Sequence, residues 1–128
     1  MFTHVVTRAY RDSSGQNITS TESPTGNAES NLDIAVVAGT NFHIDFDLVR
    51  SSLKSMCIES DVAIDLYTNA ASGGSPTDHI ALIAGQNIVW TLATDLIAKC
   101  PISADITAGI YVTNVANANL KIRALRAE

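Results

Sequence analysis

From residue 40 to residue 48 apolar and polar side chains alternate without a break. Phe42, Ile44, Phe46 and Leu48 fall on one side of an extended chain, and Asn41, His43, Asp45 and Asp47 on the other. A period of two predicts a strand with one face against a core and the other in water. The same alternation runs through Leu32, Ile34 and Val36, stopping at Ala38-Gly39, and through Val62, Ile64 and Leu66, which lead into the turn-rich residues 69–76. Residues 56–59 read as extended, while 49–55 and 95–99 predict short helical turns. Two further pairs of apolar runs, 79–83 with 87–92 and 109–115 with 119–125, are each separated by three residues, a spacing that predicts a hairpin in both places. No long amphipathic helix competes with this pattern. About eight to ten short strands at recurring intervals predict an all-β fold, an antiparallel β-sandwich or jelly roll with at most short helical turns.

The beginning of the chain departs from this rhythm. Residues 2–10 start with β-branched side chains and read as a first strand or an extended arm. Residues 13–30 are rich in Ser, Thr, Asn and Gly, with Ile18 their one large apolar side chain. Such a segment buries too little surface to offset its ordering entropy, so it reads either as a plain surface loop or as an arm fixed against a neighbouring subunit. The organisation expected is a single domain, with an N-terminal strand or arm and polar loop over 1–30 and the sandwich over 31–128.

Composition narrows the class. At 128 residues and 46% hydrophobic, the chain is long and apolar enough for one core. Charged residues make up only 16% and the net charge is −5, so a non-specific grip on nucleic acid or on an anionic membrane has no global electrostatic support. The first dozen residues lack the basic start and apolar run of a signal peptide. The two cysteines, Cys57 and Cys100, match neither common zinc spacings nor a redox dithiol, and are read as buried thiols, with a disulfide as the alternative.

Residue chemistry offers few candidates for a reaction. There is no G-x-S-x-G elbow and no phosphate-binding glycine loop, and the three histidines, His4, His43 and His79, are widely separated. His43, Asp45 and Asp47 share one strand face, but at intervals of about 7 Å they are too spread for one small ion, so a solvated face is expected. No catalytic, cofactor-binding or metal-binding residue is therefore expected. Trp90, Tyr67 and Tyr111 offer a sugar-stacking platform, against which Trp90 lies in the aliphatic run 88–92 and is better explained as core. Lys121, Arg123 and Arg126 make a basic strip near the end. Lys121 and Arg123 lie opposite Leu120 and Ile122, which makes them either the wet side of a strand or a docking strip for an acidic surface.

Five segments carry a likeness to known proteins: SLKSMCIESD (52–61), VAIDLYTN (62–69), IALIAGQNIVWT (80–91), IYVTN (110–114) and LKIRAL (120–125). Together they resemble small β-sandwich virion proteins of tailed bacteriophages, in particular capsid decoration, or cement, proteins. The resemblance implies a non-enzymatic homodimer or homotrimer, made in the host cytoplasm, that binds the major capsid protein on the outside of the shell and stabilises it. It implies no direct contact with nucleic acid or membrane. A head-completion or tail structural protein is the neighbouring reading, and a carbohydrate-binding β-sandwich module the alternative of another class. Contacts with protein neighbours are expected from Val5, Val6, Arg8 and Tyr10 in the arm and from Arg123 and Arg126 in the basic strip, because elements near chain ends reach neighbours most readily.

Overall fold

The computed structural model describes residues 1–128. Four strands come first: β1 (Phe2–Thr3), β2 (Val6–Arg11), β3 (Asn17–Glu22) and β4 (Thr25–Gly26). Eight more build the body: β5 (Ala28–Val36), β6 (Gly39–Ile44), β7 (Leu53–Ser60), β8 (Ile64–Thr68), β9 (His79–Leu82), β10 (Ile88–Thr91), β11 (Ile110–Asn114) and β12 (Ala118–Arg126). Helical structure is confined to single 3-10 turns at Arg50–Ser52 and Ile97–Lys99. The predicted all-β class and the two short helical turns both hold.

The body strands form two four-stranded antiparallel sheets, in the orders β10-β7-β12-β5 and β6-β11-β8-β9. Among consecutive body strands, only β8 and β9 share a sheet; every other connection crosses from one sheet to the other. That interleaving is the jelly-roll order. It corrects both predicted hairpins: β9 pairs with β8 and β10 with β7, while β11 pairs with β6 and β8 and β12 with β5 and β7. The physical reason is that each of these strands has one apolar face. A three-residue link serves equally to fold a strand back beside its predecessor or to carry it across the core, and here burying both faces against each other wins. Gly85, at φ 71°, makes the 83–87 crossing, and its N–H is donated to Ser60 O.

Between the sheets lies a core of alternate residues from both: Ile58, Trp90, Leu120 and Ile122 from the first, Ile44, Leu66, Ile110 and Val112 from the second. Trp90 is 2% exposed, and its indole N–H donates to Leu96 O at 3.2 Å. The core reading of Trp90 therefore holds, and a sugar platform that uses its ring does not. The strand expected over 40–48 pairs only as far as Ile44, so Asp45 and Asp47 stand beyond the sheet; Leu48 is held by a separate bridge to Ile106.

The N-terminal region is more ordered than its composition predicts. Residues 13–30 are not a loop: β2 and β3 form a six-pair hairpin from Val6↔Glu22 to Arg11↔Asn17. Its turn is closed by Asp12, whose carboxylate accepts from the Ser14 and Gln16 N–H groups at 2.9 and 3.0 Å. The β-branched Ile18, Thr19 and Thr21 supply strand preference that a count of large apolar side chains overlooks. Ala28 already belongs to the sandwich, so the body begins slightly before the expected boundary.

Candidate functional site

Two features outside the core bring chemistry-bearing side chains together. The first is the hairpin and its root. On the face of β2–β3 that carries Val6, Arg8 and Tyr10, Arg8 reaches the body and grips Asp95 with both guanidinium arms, at 3.2 and 2.6 Å. Asp95 also accepts from Thr91 N at 2.7 Å. Glu22, directly across the ladder from Val6, accepts from the Thr91 hydroxyl at 2.9 Å and from the Thr94 hydroxyl. For Asp95 the largest single influence is burial, which raises its pKa. The Arg8 hydrogen bonds, the Thr91 N–H and the Arg8 charge together outweigh burial and hold it below the usual carboxylate value. Glu22 is lowered too, first by the Thr94 and Thr91 hydroxyls. Beyond this root the hairpin stands free: Tyr10 and Ile18, opposite each other near its end, are 70% and 75% exposed.

The expected contact residues divide accordingly. Tyr10 and Val5 are exposed, and Val6 is half-buried. Arg8 is used within the chain. So is Arg123, which donates to Leu32 O at 2.9 Å and lies 3.8 Å from Asp33. Arg126 pairs with Glu128. Val5 and Val6 help line a cleft of about 310 Å³ with His4, Cys57, Val89 and Arg123. Both cysteines are unpaired and half-buried. Burial, then the Glu59 charge, pushes the Cys57 thiol up, with Arg123 partly offsetting them, so this sulfur is a poor nucleophile.

The second feature is on the opposite side of the molecule, on the solvent face of the second sheet. The register sets His43 against Tyr111, Tyr111 against Tyr67, and Tyr67 against His79. Four rings thus form one row across four strands. His43 stacks on Tyr111 and Tyr67 on His79, each with centroids 4.5 Å apart and planes within 16° and 17° of parallel. Because each stack runs from strand to strand, the rings stand on the sheet and present edges outward, with their faces largely turned to one another. Flat stacking of a sugar on them is correspondingly disfavoured.

The row is fixed at both ends. His79 Nε2 donates to Asp65 Oδ1 at 2.8 Å, and His43 Nε2 to Ala108 O at 3.2 Å. The loop carrying Ala108 is clamped by Asn69, whose Oδ1 accepts from Thr107 N and Ala108 N at 2.8 and 3.1 Å and whose Nδ2 donates to Asp105 O at 2.9 Å. Gly109 adopts φ 81°, and a Cβ there would lie 2.6 Å from His43 Nε2 and from Ile44 O, so only glycine leaves the imidazole its place. Asp45 Oδ1 is 3.9 Å from His43 Nε2. None of the residues in β6, β8, β9 or β11 is Lys or Arg. The face is therefore aromatic, with each of its two carboxylates set beside a histidine.

His79 and His43 were not singled out together by sequence, because only the cross-strand register joins positions so far apart. Alternation does place each on a wet face, and that was the available signal. Searches against protein-family models, curated proteins and solved structures return no match.

Proposed function

We propose that this protein is a non-enzymatic structural component of a phage virion, a capsid decoration protein that coats the major capsid shell and holds it together by adhesion. The observation that carries the reading is the hairpin: two strands built outside the sandwich, tied to it by Arg8–Asp95 and Glu22, with Tyr10 and Ile18 left in water. A rigid body with a projecting arm that exposes Tyr10 and Ile18 below a polar turn is suited to gripping a neighbour. The likeness of segments 52–61, 62–69, 80–91, 110–114 and 120–125 to small phage virion proteins supplies the setting.

The mechanism is thermodynamic. A subunit that binds only the assembled shell adds its binding free energy to that state, and many modest contacts acting together hold the shell strongly. The test is direct: purified shells are heated with and without the protein bound. A rise in their disruption temperature is expected, and equal survival would sink the reading. Counting copies per particle separates decoration, which needs many, from a head-completion or tail role, which needs few.

A further inference from the structure

We infer that β5 is a self-complementary sheet edge, which pairs antiparallel with β5 of a second copy about a two-fold axis at Leu32 and joins the two first sheets into one. This goes beyond the capsid reading and does not rest on it. The edges of the two sheets are β10, β5, β6 and β9, and three of them are short or closed. β9 and β10 have four residues each. Both backbone groups of Thr91 in β10 are taken by Asp95, the N–H by Oδ2 at 2.7 Å and the carbonyl by the Asp95 N–H at 2.9 Å. β6 is interrupted by Asn41 at φ 54° and by a register shift against β11. β5 differs from all three. Its nine residues pair with β12 from Ala28 to Val36 without a shift, and it contains neither Lys nor Pro, so it lacks the usual devices that blunt an edge.

The ladder shows which backbone groups are free. Asn119, opposite Ala35, turns away from β5: its N–H donates to Asp61 Oδ1 at 2.7 Å and its carbonyl accepts from Asp61 N at 3.4 Å. Alternation along an antiparallel pair then gives the bonds to β12 to Leu32, Ile34 and Val36, and points the N–H and C=O of Glu29, Asn31, Asp33 and Ala35 outward. The side chains of the same four residues select both the occupant and the register. With the axis at Leu32, Asn31 meets the partner's Asp33 and Glu29 meets the partner's Ala35, each pair twice. Asn31 Nδ2 donates one N–H to Glu29 Oε2 at 2.9 Å, which leaves its second N–H for the partner's Asp33 carboxylate. An axis at Asn31 would set Glu29 against Asp33, and one at Asp33 would set that carboxylate against itself; like charges directly opposite repel. An axis between residues would bring core faces against solvent faces. Only the Leu32 axis overlaps all nine residues. On the core face Leu32, packed against the core yet only half-buried, meets the partner's Leu32 where cross-strand side chains come closest, and Ile34 meets the partner's Ser30. One patch thus serves on both copies, as a two-fold contact requires.

The test uses the full chain alone, followed by native mass spectrometry and light scattering from roughly 1 to 100 μM, where a dimer is expected. Asn31→Pro removes an outward N–H and leaves the β12 ladder intact, so a folded monomer is expected. Asn31→Asp sets two like-charged pairs across the axis and weakens the dimer by about tenfold. Adding Asp33→Asn to it exchanges the two members of each pair and restores the parental affinity, which no other register predicts. Circular dichroism melts confirm folding, and the exchange series carries the test if the proline variant does not fold. A parent that stays monomeric or forms trimers overturns the inference, as does a dimer that survives Asn31→Pro or an exchange that fails to restore it. Shell binding is measured separately. A monomer that coats shells would overturn this inference and leave the capsid reading standing, and a dimer that ignores shells would do the reverse.

Discussion

Trp90 shows how far one side chain can be understood from its neighbours in sequence. Its place in an aliphatic run pointed to the core, and the ring is indeed almost wholly enclosed, with its single polar atom satisfied by Leu96 O. Replacing it, Trp90→Ala, removes a large buried surface and leaves a cavity that the stiff sheets cannot close. A loss of about 3–5 kcal/mol in denaturant unfolding is expected. A loss below about 1 kcal/mol would mean that the ring contributes little packing. The four rings of the outer row could not be read this way. Each was visible as a polar or aromatic residue on a wet face, but their alignment depends on the register of four strands drawn from residues 39–114. That register is set by core packing rather than by any local signal.

At the scale of elements, strand positions were legible and strand partners were not. Alternation located most of the body strands, because half-buried strands must alternate. The choice between hairpin and crossing was invisible, because both use the same short polar links. The hairpin β2–β3 was missed for a different reason: its order comes from a closed turn and an ion-paired root, not from a buried face. That origin makes it sensitive to acid. Asp95 and Glu22 both titrate below their ordinary values in the folded chain. A carboxylate with a depressed folded-state pKa contributes stability that is present above its unfolded pKa and lost as pH falls through the folded one. Amide protection in β2 and β3 is therefore expected to decline below about pH 4, ahead of the sandwich, in hydrogen-exchange measurements. Arg8→Gln should loosen the same amides at neutral pH. Hairpin amides that stay protected until the whole domain unfolds would show that the root is not what holds it.

Considered whole, the molecule separates stability from adhesion. The sandwich from Ala28 onward holds the core, while residues 1–27 lie outside it, joined by the Asn27 N–H to Arg126 O at 3.0 Å, by His4 to Glu29 at 3.0 Å and by the hairpin root. Deleting residues 1–12 is accordingly expected to shift the melting temperature by no more than about 4 °C, yet to weaken shell attachment by at least about tenfold. Unchanged occupancy on particles with a normal melt would contradict the assignment of the arm. The interleaved order of the strands has one more consequence, and it concerns synthesis. β12 is the inner strand that joins β5 to β7, so the first sheet has no centre until residue 126 has been translated. Until then β5 has no strand beside it, and the first sheet closes over long loops, as a slow, late event in which chaperones have the most time to act.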